Sequence, residues 1–266
     1  MHDGEHRNGF MRCPIHAFDG RGFSKTTADI VCEMPLQVFL NDRPVITTAC
    51  TGLHVEELAL GYLKSEGLIG SSADIREVRT SPDRTAVHID AIVTVRSGPS
   101  DASAGKIITS SGSRGFGKAL TAPPPGSAGT DNLMLAPDQI LEVMEKFLDV
   151  THLHQITRGT HCAALTDGKD ILVSREDIGR HNALDMLVGH ALLKSMDCRD
   201  KALLRTGRVS SEIVQKVRML GTPVVVSLAV PTTLAIQLAT AAGITLIGAI
   251  RGRSMQVYTH ERRIGL

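Results

Sequence analysis

The sequence predicts an α/β protein: a largely parallel, doubly covered sheet in the carboxyl-side half, with a smaller α+β unit before it. Three observations lead there. From Ala136 onward, apolar runs of strand length alternate with stretches of helical period, a rhythm that implies right-handed crossovers and helices on both faces of a sheet. Low-complexity stretches at residues 97–105 and 121–130 set this half apart from a first half of hairpin signals and one helix. The polar run Ser174-Arg-Glu-Asp-Ile-Gly-Arg-His-Asn-Ala-Leu-Asp185 sits between apolar segments 171–173 and 186–188. It therefore reads as the join between a buried strand and a helix, at the sheet edge where α/β proteins bind ligands.

In chain order, residues up to about Asp29 are rich in glycine and charge without a sustained period, and read as a stretch that includes a frayed terminus. Apolar runs 36–40 and 45–48 flank Asn41-Asp42-Arg43, a hairpin signal. Leu58, Tyr62 and Leu63 recur at helical spacing, with Thr51 as the expected cap and Gly67 as the stop. Residues 75–79 and 86–95 alternate as strands. The glycine-rich segment 106–118, held between the two low-complexity tethers, reads either as a moving loop or as a plain linker.

In the second half, Ile140, Val143, Met144, Phe147 and Leu148 mark a helix that Pro137 and Asp138 open. Strands 162–165 and 171–173 form a hairpin through Asp167-Gly168. Then come helix 183–193, strand 202–204, helix 210–220, strand 223–228, helix 232–240 and a last strand 244–250.

Composition narrows the function. The chain has 266 residues, 42% hydrophobic and 21% charged, with a formal net charge of +1, which argues against a nucleic-acid tail. Aromatics at 3% leave little for stacking on single strands. The polar amino terminus lacks a signal-peptide core, and the apolar stretch 224–230 is too short for a bilayer, so a cytoplasmic protein is expected. Five scattered cysteines, without a Cys-x-x-Cys pair, read as separate thiols and give no zinc site or disulfide frame.

Chemistry gathers where strands give way to helices. Arg205-Thr-Gly-Arg-Val-Ser-Ser-Glu212 leads into a helix with Ser210 or Ser211 as cap, Pro231-Thr232-Thr233 opens another, and Arg251-Gly-Arg-Ser254 follows the final strand. Helix starts present unpaired N–H groups to anions, Gly207 permits close backbone approach, and Arg205 or Arg208 adds bidentate contacts to phosphate. Arg180 and His181 lie at a fourth junction, His181 serving either as a structural imidazole or as a ligand contact. The sum is a pocket for a phosphorylated, nucleotide-like ligand. The usual phosphate-loop, nucleophile-elbow and zinc-helix motifs are absent, and Cys162, beside His161, is placed in the core.

With these motifs in hand, the chain resembles the FdhD/NarQ family of formate dehydrogenase accessory proteins. The likeness runs from about Val31 onward. It rests on Glu176-Asp-Ile-Gly-Arg-His-Asn-Ala-Leu-Asp185, Thr206-Gly-Arg-Val-Ser-Ser-Glu212, Ala229-Val-Pro-Thr-Thr-Leu-Ala235 and Thr245-Leu-Ile-Gly-Ala-Ile-Arg251, with Ala49-Cys-Thr and Glu57-Leu-Ala-Leu-Gly-Tyr-Leu-Lys-Ser-Glu-Gly67 in the first half. The resemblance implies a cytidine-deaminase-like three-layer domain over residues 131–266, a small α+β domain over 1–105, a mobile loop and linker over 106–130, and a homodimer. It implies sulfur transfer from a cysteine desulfurase to the bis-molybdopterin guanine dinucleotide molybdenum cofactor, for formate dehydrogenase. The dinucleotide, with GDP as a mimic, would be held by Ala249, Ile250, Arg251, Gly252, Arg253 and Ser254, in agreement with the pocket of Gly207, Arg208, Ser210, Arg180 and His181. The deaminase zinc signature is missing, so the implied fold does not imply deamination.

The chain departs from the family in the loop. The family's persulfide-bearing Cys-x-x-Cys pair aligns with Ser113, Arg114, Gly115 and Phe116, and a serine hydroxyl cannot hold sulfane sulfur. Two readings follow. In one the chain is a sulfurtransferase using another thiol, first Cys50, which is expected to be exposed at a strand-to-helix junction. In the other it is a carrier that binds the cofactor and moves no sulfur.

Overall fold

The computed structural model describes residues 8–93, 107–108 and 133–265. It opens with an antiparallel ribbon, β1 (Phe10–Phe18) and β2 (Phe23–Val31), in continuous register from Phe10↔Val31 to Phe18↔Phe23. The stretch before Asp29, which shows no sustained period in the sequence, thus forms regular strands from Phe10 onward. Most ribbon side chains are exposed, so no buried face imposes a period, and the strands are held by backbone pairing and a two-bond contact between Arg12 and Asp29.

β3 (Met34–Leu40) and β4 (Arg43–Cys50) form the expected hairpin, with Asn41 and Asp42 at φ of 49° and 60°. Two left-handed residues give the turn a twist that suits antiparallel strands. α1 (Val55–Ser65) follows, but the residue before it is His54 and Thr51 does not cap it. β5 (Ile75–Thr80), β6 (Ala86–Ala91) and the short β7 (Ile107–Ile108) complete a sheet of order β5-β6-β3-β4-β7. Leu36, Val38, Ile46, Val87 and Ile89 of this sheet pack on Leu58 and Leu63 of α1.

The second sheet is framed by α2 (Pro137–Asp149), whose first residue is the expected proline, and by α3 (His152–Thr157), a six-residue helix too short for its period to be read. The chain continues through β8 (His161–Thr166), β9 (Ile171–Asp177), α4 (Arg180–Leu193), β10 (Ala202–Arg205), α5 (Ser211–Leu220), β11 (Val224–Ser227), α6 (Thr233–Ala242), β12 (Thr245–Arg251) and β13 (Ser254–Thr259). Strand order is β13-β12-β11-β10-β8-β9.

Only β10–β11 and β11–β12 are parallel, while β8 runs against both its neighbours and β13 against β12. The largely parallel sheet is thus corrected to a mixed one, and β12 is not the last strand. Tight turns at both ends cause this, since Gly168 and Gly252 take positive φ and fold each outer strand back on its predecessor. Double coverage holds, and alternation along each strand explains it. Ala163, Leu165, Leu203 and Val225 face α4, α5 and α6, whereas Cys162, Ala164, Leu204 and Val226 face Ile140, Met144 and Phe147 of α2.

The two sheets are joined through α1 and α4. A Cβ on Gly61 would lie 1.7 Å from the Asp185 carbonyl oxygen, and one on Gly189 would lie 1.9 Å from that of Glu57. Glycine at both positions lets the helix backbones touch. Of the interval 105–131 in which the domain boundary is expected, only residues 107–108 are described, and they pair with β4 of the first sheet.

Candidate functional site

Most of the polar run 174–185 fastens the molecule together. Asp177, fully buried at the end of β9, accepts hydrogen bonds from Thr51 N (2.8 Å), Thr51 Oγ1 (3.0 Å), Gly179 N (2.9 Å) and Asn182 Nδ2 (2.8 Å). Burial pushes its pKa up to about 6 against the pull of those four donors. Asn182 also donates to Ala49 O, tying β4 to α4. Glu176 accepts from Leu153 N and His154 N at the start of α3, and Asp185 accepts from Ser65 and Lys216. Arg175 grips Glu57 of α1 with two bonds, His190 lies 2.8 Å from the same carboxylate, and these bonds outweigh burial to hold the Glu57 pKa below its ordinary value.

The expected convergence of junctions follows from strand direction. β9 runs parallel to β10, so the carboxyl ends of β9, β10, β11 and β12 share one edge. Beyond the strands, Val209 and Pro231 form a further parallel bridge, and Leu228 N donates to Arg205 O. Gly207 is pinned there, its carbonyl accepting from both Arg205 Nε and Ser227 Oγ at 2.9 Å. A Cβ at Gly207 would meet Arg205 Nη2 at 3.2 Å, Arg180 Cβ at 3.3 Å and His161 Nδ1 at 3.4 Å, so three basic residues gather on one glycine.

Arg205 is the unusual member. It is 2% exposed, and its Nη1 has no hydrogen-bond partner among the described residues. Burial, helped by the charge of Arg180, pushes its pKa down to about 9. Burial and the same two arginines also lower the His161 pKa, favouring the neutral imidazole. A buried cation without an anion beside it is an electrostatic debt that a bound anion would relieve.

The other expected site residues are spread along this edge. Ser210 precedes α5 as its cap residue, but its buried hydroxyl makes no capping bond and has no partner among the described residues, whereas Thr232 caps α6 by accepting from Ala235 N. Arg208 is exposed. His181 is 4% exposed and turned to Glu212, with Nε2 to Oε2 at 3.0 Å, so its ring is engaged within the protein. Arg251, Gly252, Arg253 and Ser254 form the exposed β12–β13 turn, where Arg253 pairs with Asp138 at 2.7 Å. Ala249 stands at φ 55° in the irregular register before that turn, next to Ile250. β12 is two strands from β10, roughly 10 Å along the sheet, so this turn and the Gly207 cluster lie on either side of the β11 junction.

The thiols change the sulfur reading. Ser113, Arg114, Gly115 and Phe116 lie outside the described residues. Cys50 is completely buried, and burial together with the nearby Asp177 raises its pKa to about 12, which corrects its expected exposure. It ends β4 beneath the loop that Thr51 anchors to Asp177, a contact across 126 residues that the sequence did not announce. Cys162 is buried as expected, and Cys32 and Cys198 are buried too, each with its pKa raised chiefly by burial. Cys13 on β1 is the partly exposed thiol.

Sequence reasoning missed His154, Arg158, Thr160 and His161 as a group. They line a cleft of about 360 Å³ at the start of β8, together with Thr206 and Ile178. Their proximity depends on the turn of the short α3, and basic residues four and three apart were the only available signal. Among the described residues no cluster of three metal-binding side chains occurs, and no helix is long and apolar enough to cross a membrane.

Fold and site together define a mixed α/β protein whose sheet edge gathers arginines, one of them buried with no acidic partner among the described residues. The model of the FdhD/NarQ family matches residues 31–265, and the chain belongs to that family. It is 36% identical to the sulfur carrier protein FdhD of Bacillus subtilis over 91% of this chain and 92% of that one. It is 33% identical to the protein of that name from Bacillus pumilus over 94% and 95%, and 35% identical to that of Staphylococcus aureus over 94% and 95%. In structure it is similar to a putative formate dehydrogenase accessory protein from Desulfotalea psychrophila, with a TM-score of 0.79 at 24% identity, covering 96% of this chain and 99% of the other.

Proposed function

We propose that this chain is a sulfur carrier serving formate dehydrogenase, taking sulfur from a cysteine desulfurase and delivering it to the bis-molybdopterin guanine dinucleotide molybdenum cofactor, bound as substrate. The observation that carries this reading is likeness over nearly the whole chain to proteins named sulfur carrier protein FdhD. The sheet edge supports it chemically: the exposed turn with Arg251 and Arg253 offers guanidinium groups to a nucleotide, and the α5 start adds Gly207, Arg208 and Ser210. Arg251→Ala should weaken GDP binding about tenfold in calorimetry, the loss expected for one charge-assisted contact. Unchanged affinity would remove the turn from the site.

A second reading, cofactor carriage without sulfur transfer, is favoured by the four buried thiols and by Ser113 at the aligned loop position. Incubation with a cysteine desulfurase and cysteine, followed by intact mass measurement, separates the two. A sulfur adduct that disappears in Cys13→Ser supports transfer through the ribbon thiol. No adduct on the wild-type chain leaves the carrier.

A further inference from the structure

The cleft at the start of β8 is a second place where charge lacks a counterpart. Its lining holds His154, Arg158 and His161 and no acidic side chain, with the Thr160 and Thr206 residues between them. Behind His161 stand Arg205 and Arg180, both within 3.4 Å of the point where a Gly207 Cβ would sit. Arg205 keeps Nη1 buried and unpartnered, and so does Arg180 with its Nε.

The nearby carboxylates are already engaged by protein donors. Glu176 accepts from the α3 amides and from Thr160 Oγ1 of the cleft lining (3.4 Å) and lies 3.5 Å from Cys162 Sγ, while Asp177 is enclosed by Thr51, Gly179 and Asn182. One exposed guanidinium, two imidazoles and a buried guanidinium behind them, with no acidic side chain among the described lining residues, form a receptor for a compact anion.

We infer that this cleft is a second anion site, separate from the β12–β13 turn, and that it takes a phosphoryl-type oxyanion between Arg158 and His161, in front of the buried Arg205 guanidinium. β8 lies one strand beyond β10 and the turn two strands to the other side, so the cleft and the β12–β13 turn share no residue, while Gly207 stands between the cleft and the α5 start. The inference does not depend on sulfur transfer or on GDP binding at Arg251. The oxyanion has two possible sources, a nucleotide phosphate or free inorganic phosphate.

The test is a phosphate titration of the full chain, followed by thermal unfolding at ionic strength held constant with chloride. The wild type should show a saturable rise in melting temperature. Arg158→Asn, which removes the charge while suiting the left-handed backbone at φ 55°, should raise the half-saturating concentration about tenfold. Arg205→Met should abolish the effect, and Arg251→Ala should leave it intact. Absence of saturation in the wild type, or equal phosphate response in wild type and Arg158→Asn, overturns the site. Because Arg158 is exposed, the test stands even if Arg205→Met does not fold. GDP affinity in Arg158→Asn then identifies the source: a loss assigns the cleft to a nucleotide phosphate, and full retention assigns it to a free oxyanion. Phosphate binding without GDP binding would sink the Arg251 site alone.

Discussion

The α1–α4 seam and the mouth of β8 are built from the same kinds of side chain, yet one is chemically closed and the other is open. At the seam Glu57 meets Arg175 and His190, Asp177 meets Thr51 and Asn182, and Asp185 meets Lys216 and Ser65. At the mouth, Arg205 and Arg180 each retain a buried nitrogen without a partner among the described residues. Charged residues in a short motif therefore say little about ligand binding until their partners are known. A satisfied buried network specifies architecture, whereas an unsatisfied one points outward to a ligand.

Three perturbations would break or sharpen that contrast. The largest effect is expected from Gly61→Ala or Gly189→Ala, because the new methyl would overlap a backbone oxygen at 1.7 or 1.9 Å and neither helix can yield. Denaturant unfolding should report a loss of about 3 kcal/mol, the upper part of the range for overpacking. Stability within a few tenths of the wild type would mean the helices are not fixed at that distance.

Next, Asp177→Asn replaces an acceptor of four bonds with a group that must turn its NH2 toward a donor, and should cost about 2 kcal/mol at pH 7. The pH dependence carries a sign. With a folded pKa near 6 against an unfolded value of 3.8, the folded state binds this proton more tightly, so the Asp177 contribution to stability increases as pH falls from 6 towards 4. Its slope is at most about 1.4 kcal/mol per pH unit. Glu57 works oppositely, since its lowered pKa gives stability that is lost as pH falls through its folded value. Unfolding curves between pH 6.5 and 5 should lose the Asp177 component in the variant, and identical profiles would contradict the assignment.

The smallest effect is expected at the mouth. Arg205→Met in phosphate-free buffer should change stability by less than about 1 kcal/mol, because losing the bond to Gly207 is offset by removing an uncompensated buried charge, and Ser227 still donates to that carbonyl. A loss comparable to that in Asp177→Asn would make Arg205 a structural residue and erase the contrast.

Much of the fold was legible because it is locally encoded. Asn41-Asp42 announces its turn, Pro137 its helix start, and Asp167-Gly168 its hairpin, each through the backbone conformations those residues permit. The ribbon 10–31 was illegible because its stability comes from pairing that leaves both faces wet. Of the candidate site, the Arg205–Gly207 junction was readable as a helix start, while the cleft was hidden by a six-residue helix that turns His154 and Arg158 towards His161.

The sequence by itself determined the family, the order of strands and helices from β8 to β12, and the gathering of arginines after β10 and β12, since motif spacing and apolar period are properties of neighbouring residues. Only the tertiary structure decided that Cys50 is sealed, that His181 faces Glu212, that outer strands reverse the sheet, and that Arg205 lies buried without an anion. The physical reason is distance along the chain. A side chain's exposure and partnership are set by groups as far away as Thr51 is from Asp177, and a buried charge is paired or unpaired only once every element has closed around it.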